Sequence, residues 1–155
     1  MSGEHKDYIK NTTICLDMRL RVNSFEALNL KTMNAALNLI YFDFQKLEVY
    51  RKSKDFYLHS KKILEEANLE RHVRDQLGRA AYSIALNIAE GSAKKTNPDR
   101  RHFFTIARGS TFECAAILDI LHQEDKIDEV VYSNLLKLAS EISKMLFVMA
   151  RNLES

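Results

Sequence analysis

The sequence predicts an all-α protein, an antiparallel up-down-up-down four-helix bundle with an N-terminal extension. The chain of 155 residues has the length of a single domain with one core. It contains one proline and four glycines, so long helices with short connections are expected. From Phe42 onward, four successive stretches carry apolar residues at helical spacing. Because short connections make consecutive helices antiparallel, residues 42–155 are predicted to form the bundle and residues 1–41 the extension.

The first two predicted helices cover residues 47–65 and 69–93. In the first, apolar pairs recur every seven residues with serines between them, which indicates a heptad seam. In the second, apolar residues follow steps of three and four beside an alanine-rich face that permits close packing. The predicted core positions are Val49, Tyr50, Ser53, Phe56, Tyr57, Ser60, Ile63 and Leu64, then Val73, Leu77, Ala80, Ile84, Ile88 and Gly91.

The one strong break in the pattern is the segment Lys94-Lys95-Thr96-Asn97-Pro98. Thr96 or Asn97 can cap the helix that follows, and Pro98 suits its first turn. The third helix is predicted over residues 98–122 and the fourth over residues 128–153. Their predicted inner faces are Phe103, Ile106, Ser110, Ile117 and Leu121, then Val131, Leu135, Leu138, Ile142, Met145 and Met149.

The extension gives a weaker pattern than the bundle. Leu30, Met33, Leu37 and Ile40 have the spacing of one short amphipathic helix. Residues 1–23 show no helical period. We therefore predict that the extension contains at most one short helix and is partly flexible.

Several function classes lack their sequence signatures. The sequence contains two cysteines, Cys15 and Cys114, which are too few for a disulfide framework and lack the spacing of zinc ligands. A reduced cytoplasmic location is therefore expected. No apolar run reaches the roughly 18 residues of a transmembrane helix, and the first residues do not resemble a signal peptide. Motifs of nucleotide, metal and hydrolase sites are missing, so we expect no enzyme, no metal and no cofactor.

Four polar residues form two pairs, each three residues apart on a helix face: Asn87 with Glu90, and Ser110 with Glu113. Glutamates paired in a bundle can act as general acids and bases or as metal ligands. They can also form hydrogen bonds between helices or subunits and fix their register. Since no nucleophile, histidine or glycine-rich loop accompanies them, we interpret the four as structural polar residues.

Two segments carry a family resemblance: residues 83–92, SIALNIAEGS, and residues 103–114, FFTIARGSTFEC. They resemble the hallmark segments of a bacterial four-helix-bundle family encoded in intervening sequences of 23S ribosomal RNA. Residues 44–50, FQKLEVY, are similar to the opening helix of that family. The resemblance spans residues 42–153 and implies a barrel-shaped homopentamer with a role in nucleic-acid binding and no known catalysis. Ala85 and Leu86 replace a proline and a serine common in the family, which predicts a straight second helix.

A related branch of that family suggests an alternative function. The accessory variability determinant of diversity-generating retroelements is similar in fold and is a basic pentamer. It binds a reverse transcriptase and its template RNA. The resemblance to this branch implies an interaction scaffold whose main partner is a reverse transcriptase.

The small net charge of +2 conceals an uneven distribution. Residues 94–108 contain five basic residues and one acidic residue, whereas residues 109–155 contain four basic and eight acidic residues. Basic side chains beside a helix N-terminus can contact phosphates without reading bases. The alternative is an ordinary solvated helix surface. The predicted nucleic-acid-binding residues are Lys94, Lys95, Arg100, Arg101 and Arg108, with Lys52, Arg74 and Arg79 as a second set.

Overall fold

The computed structural model describes residues 42–154, which form a 3-10 helix and four α-helices. The 3-10 helix spans Asp43–Lys46, and the α-helices are α1 (Glu48–Glu66), α2 (Arg71–Ala93), α3 (Asn97–Gln123) and α4 (Glu129–Arg151). Residues 42–154 contain no strand. None of their helices has the length and apolar character needed to cross a membrane. The predicted extension and its short helix lie outside the described residues.

The four α-helices form a ring in which each packs against two others. Consecutive helices are antiparallel, and α4 returns to pack against α1. The seam between α2 and α3 is the most extensive, and the seam between α1 and α4 is the least extensive. The predicted up-down-up-down bundle is thus confirmed, and α2 runs without interruption through Ala85 and Leu86.

The heptad seam predicted for α1 faces the core. Val49, Ser53, Phe56, Ser60 and Ile63 are all buried, so serines and large apolar residues alternate along it. Tyr50, Tyr57 and Leu64, predicted beside them, are half-buried. On α2 all predicted core positions except the half-buried Val73 are buried, namely Leu77, Ala80, Ile84, Ile88 and Gly91.

The predicted inner face of α3 is confirmed at Ser110 and Leu121 and is wrong by one position at the other three residues. Ile106 is 38% exposed, and Phe103 and Ile117 are only half-buried. Several of the buried positions carry small residues, which allow the neighbouring helices to approach closely. Thr111 can lie there because its hydroxyl donates a hydrogen bond to the carbonyl of Ala107 at 2.9 Å. The buried residues of α3 are Phe104, Ala107, Ser110, Thr111, Cys114, Leu118 and Leu121.

The inner face of α4 shows a smaller difference of the same kind. Leu135 and Ile142 are buried as predicted, together with Ala139 and Leu146, which the heptad did not include. The other predicted positions are half-buried beside the core: Val131, Leu138, Met145 and Met149.

Side-chain caps fix the start of α3 and α4. Thr96 is the N-cap of α3, where its hydroxyl accepts from the Asp99 backbone N–H at 3.3 Å and donates to the Asp99 carboxylate at 2.6 Å. Asp128 caps α4 by accepting from the Val131 backbone N–H at 2.8 Å. Each cap satisfies a backbone donor that the first helical turn leaves unpaired. The predicted break between α2 and α3 is therefore confirmed, with Thr96 as the cap.

Candidate nucleic-acid interface

One end of the bundle gathers four of the eight basic side chains that the sequence singled out, together with other basic residues. The starts of α1 and α3, the ends of α2 and α4 and the 3-10 helix meet there. Seven basic residues lie at this basic end, and five acidic residues accompany them. The basic residues are Lys46, Arg51, Lys94, Lys95, Arg100, Arg101 and Arg151; the acidic ones are Asp43, Glu48, Glu90, Asp99 and Glu154.

The opposite end of the bundle has the reverse balance. It carries eight acidic residues and five basic ones. The acidic residues are Glu65, Glu66, Glu70, Asp75, Glu124, Asp125, Asp128 and Glu129; the basic ones are Lys61, Lys62, Arg71, Arg74 and Lys126. We refer to this as the acidic end.

Lys94 and Lys95 lie between α2 and α3 and are both exposed. The Lys94 ammonium is 4.6 Å from the centre of the Phe103 ring, which holds the charge near the surface of the bundle. Neither lysine pairs with a carboxylate among residues 42–154. Their charges are therefore available to an anion at the basic end.

Arg100 and Arg101 lie in the first turns of α3 and differ in their surroundings. The Arg101 guanidinium is 2.6 Å from the Glu154 carboxylate, an ion pair that joins the start of α3 to the residues after α4. Arg100 is half-buried, and its Nε atom is buried without a hydrogen-bond partner in the described part of the chain. Part of the positive charge predicted for this segment is thus balanced within the bundle.

Arg108 lies apart from the basic end, on the outer side of the seam between α3 and α4. Its Nε donates to the Ser143 hydroxyl at 3.3 Å. Its guanidinium is 5.0 Å from the centre of the Phe112 ring and 5.2 Å from that of Phe147. Arg151 also approaches the Phe147 ring, with its guanidinium 5.7 Å from the ring centre. Sequence reasoning did not single out Phe112, Phe147 or Arg151, although each arginine stands four residues from one of the phenylalanines.

Lys52, from the second predicted set, spans the seam between α1 and α4. Its ammonium is 2.8 Å from the Glu141 carboxylate and 3.9 Å from that of Glu48. The hydrogen bond to Glu141 raises the pKa of Lys52, and the same bond lowers the pKa of Glu141. Lys52 therefore holds two helices together as well as carrying charge.

Arg74 and Arg79, the rest of the second set, are exposed on α2 and lie far from the basic end. They line a shallow groove between α1 and α2 together with Lys61, Glu65 and Asp75. Carboxylates thus accompany the basic side chains there. The structure does not bring this second set together with Lys94 and its neighbours.

Three of the four polar residues predicted to be structural, Asn87, Ser110 and Glu113, lie along the seam between α2 and α3. The Asn87 amide donates to the Ser83 hydroxyl at 2.9 Å and to the Ser83 carbonyl at 2.8 Å, and the Ser83 hydroxyl is 2.9 Å from that of Ser110. Further along the seam, Glu113 accepts a hydrogen bond from Gln76 of α2. Glu90 is exposed. Within residues 42–154 no three histidine, cysteine or acidic side chains are close enough to hold a metal.

Comparisons with known proteins place these features in a family context. A family model described as 23S rRNA-intervening sequence protein matches residues 45–148. A solved structure from Bacteroides thetaiotaomicron, described as a protein with unknown function from the S23 ribosomal protein family, has a similar fold with a TM-score of 0.63. The two sequences are 23% identical, and the likeness covers 66% of this chain and 95% of that chain. No curated protein matches the chain.

Proposed function

Because this chain belongs to the 23S rRNA-intervening sequence protein family, we propose that it is a non-enzymatic homopentamer that binds RNA or other structured nucleic acid through its basic end. The observation that carries this proposal is the gathering of seven basic side chains at one end of the bundle. Phosphate groups are recognised by positive charge alone, so such an end binds nucleic acid without base-specific contacts.

The side chains, not the helix terminus, supply the phosphate contacts. Thr96 and Asp99 already engage the first turn of α3, and the Asp99 carboxylate would repel an incoming phosphate. Lys94 and Lys95 precede this turn and are exposed, so they reach a phosphate first. Arg100 and Arg101 stand behind them and add to the local potential.

Pentamer formation would strengthen this weak, nonspecific contact. The resemblance to the family implies the pentamer, and large apolar side chains left exposed on α2 and α3 support association, since burying them is favourable. Among them are Tyr82, Leu86 and Ile120, which are 52%, 47% and 55% exposed. A ring would repeat the basic end five times, so several weak contacts would act together. Native mass spectrometry at micromolar concentration should show the pentamer, and a monomer would remove this argument.

The basic end is tested by changing Lys94, Lys95, Arg100 and Arg101 together to glutamine. The matched control changes Lys61, Lys62, Arg71 and Lys126, which removes the same charge from the acidic end. Binding of a labelled RNA hairpin is measured by fluorescence anisotropy at several salt concentrations, with circular dichroism to verify folding. Only the first variant should bind more weakly, and its logarithmic salt slope should fall by about 0.9 for each phosphate that the variant no longer neutralises.

An unchanged affinity and salt slope in the first variant would overturn the basic end as the binding surface. If the wild-type protein did not bind RNA at all but bound a reverse transcriptase, the scaffold function of the retroelement branch would replace the proposal.

A further inference from the structure

Arginine and phenylalanine side chains alternate along the outer side of the α3–α4 seam. They are Phe112, Arg108, Phe147 and Arg151, in spatial order, and we refer to them as the Arg–Phe row. Arg108 is held between the two rings at 5.0 and 5.2 Å from their centres, and its hydrogen bond to Ser143 fixes its position. The row is therefore an ordered group of side chains contributed by both helices.

The two rings of the row keep much of their surface open to solvent. Phe112 is 56% exposed and Phe147 is 48% exposed, whereas Phe56 and Phe104 of the core are almost completely buried. Two exposed phenylalanine rings close together form an apolar patch. Such patches on a protein surface mark binding sites, whereas single exposed apolar residues do not. A second planar group can stack on the solvent-exposed part of each ring.

Aromatic rings, not carboxylates, surround the two arginines of the row. Among residues 42–154 neither Arg108 nor Arg151 forms an ion pair. The acidic side chains on this side are already engaged: Glu154 pairs with Arg101, and Asp119 accepts a hydrogen bond from Tyr132. The row thus combines uncompensated positive charge with open aromatic surface.

We propose that the Arg–Phe row binds single-stranded nucleic acid. Unpaired bases stack on Phe112 and Phe147, and the guanidinium groups of Arg108 and Arg151 contact the adjacent phosphates. Stacking on aromatic side chains beside a positively charged path is the common way in which proteins hold unpaired strands. A duplex keeps its bases stacked on each other and offers only phosphates to such a surface.

The position of the row fits this ligand. Arg151 belongs both to the row and to the basic end, so one strand can pass from the end of the bundle along the α3–α4 side. In a two-fold dimer through this surface, the guanidinium groups of the two copies would face each other, and like charges oppose such a contact. A ring joins two different surfaces of the chain, so the oligomeric state of the row variant is part of the test. The inference rests on the proposed nucleic-acid function and specifies an unpaired strand as the ligand of this surface.

The test replaces Phe112 and Phe147 together by leucine in the full chain, which keeps apolar character and removes the aromatic faces. Leu58→Ala on α1 is the control, because Leu58 is an exposed apolar residue outside the row, the basic end and the side chains proposed for association. Fluorescence anisotropy compares a single-stranded RNA with a blunt RNA duplex of equal length. The double variant should bind the single strand at least about tenfold more weakly, since one stacked base is worth about this factor in affinity. Duplex binding should change less than twofold, as should all binding by the control.

A second measurement identifies the contact directly. Single-stranded RNA carrying 5-iodouracil is cross-linked by light and the peptides are sequenced. Cross-links at Phe112 or Phe147 are expected in the wild-type protein. Equal weakening of single strand and duplex, or cross-links elsewhere only, would overturn the inference.

Two further outcomes separate this inference from its premise. If the double variant lost its oligomeric state in native mass spectrometry, the row would be a subunit contact and the inference would fail. If the wild-type protein bound the duplex with the salt dependence expected of the basic end and the leucine changes altered nothing, the proposed function would stand without the row. Absence of binding to either RNA would remove both.

Discussion

At the scale of single residues, Cys114 shows how strongly the core controls chemistry. The side chain is fully buried on α3, and burial, together with the nearby Glu113 carboxylate, raises the pKa of its thiol to about 12. The folded protein therefore keeps a proton that the unfolded chain releases near pH 9. The contribution of this group to stability is complete below that pH and decreases as the pH rises toward 12.

We predict that Cys114 does not react with a thiol reagent in the folded protein. In a Cys15→Ser variant, Ellman's reagent at pH 8 should give no colour within minutes and one equivalent after unfolding in guanidinium chloride. Stoichiometric reaction without denaturant would show that α3 opens readily or that the thiol is accessible.

The ion pair between Lys52 and Glu141 predicts a pH dependence of a different sign. Because the pair lowers the pKa of Glu141, its stabilisation is present above the usual value of 4.5 and is lost as the pH falls through the lowered pKa. Lys52→Met should therefore destabilise the protein at pH 7 and have a smaller effect at pH 3. Urea unfolding at both pH values measures this, with Lys62→Met as the control. Equal destabilisation at both would show that packing, not charge, is the contribution of Lys52.

At the scale of helices, the α2–α3 seam leaves no room for a side chain at Gly91. A Cβ atom at this position would lie 2.7 Å from Cε1 of Phe104 and 3.1 Å from Cβ of Phe103. Gly109 of α3 is a matched contrast, because a Cβ there would meet nothing within 4 Å.

We predict opposite effects for alanine at these two glycines. Gly91→Ala should destabilise the bundle by about 1–3 kcal/mol because it forces the helices apart. Gly109→Ala should stabilise it by up to about 1 kcal/mol, since alanine favours the helix and no clash opposes it. Thermal unfolding followed by circular dichroism compares the two. A stabilised Gly91→Ala protein would contradict the packing described for this seam.

The sequence predicted the helices well because their signals are local. Thr96, Pro98 and Asp128 mark helix starts within one turn of chain, and the heptad of α1 agrees with its buried face. The inner face of α3 was predicted only in part, because it depends on which neighbours that helix meets. Ala107 is buried, while the larger Ile106 beside it in the sequence remains partly exposed.

The candidate site was predictable only where its residues are neighbours in the sequence. Lys94 and Lys95 stand out as consecutive lysines beside a helix break. The Arg–Phe row requires two helices in a particular register, which no local pattern reveals. Likewise, the partner of Lys52 lies 89 residues away in the chain.

At the scale of the whole molecule, a single core connects all four helices. Ile84 of α2 and Ile142 of α4 are both completely buried within it. We predict that Ile84→Asp or Ile142→Asp unfolds the bundle, because an unpaired charge in an apolar core costs several kcal/mol, a large part of the stability of a small domain. Ser140→Asp, at an exposed position on α4, is the control. Native helicity and an unchanged melting midpoint in the isoleucine variants would contradict the core assignment.

Folding also redistributes the charge that the sequence presents. Residues 109–155 are acidic as a stretch, yet both Arg151 and Glu154 join the basic end because α4 returns to it. Charge counted along residues 94–108 alone therefore overestimates the net positive charge of that end, since carboxylates from other elements also lie there.

The separation of a basic end from an acidic end also affects how the molecule meets a ligand. The 27 residues of α3 span a distance of about 40 Å, several times the Debye length of about 8 Å at physiological salt. At that salt an approaching polyanion responds to one end only, and collisions at the acidic end are unproductive. In dilute buffer both ends act together as an electric dipole that turns the protein before contact. Ionic strength should therefore change the rate of association as well as the strength of the complex.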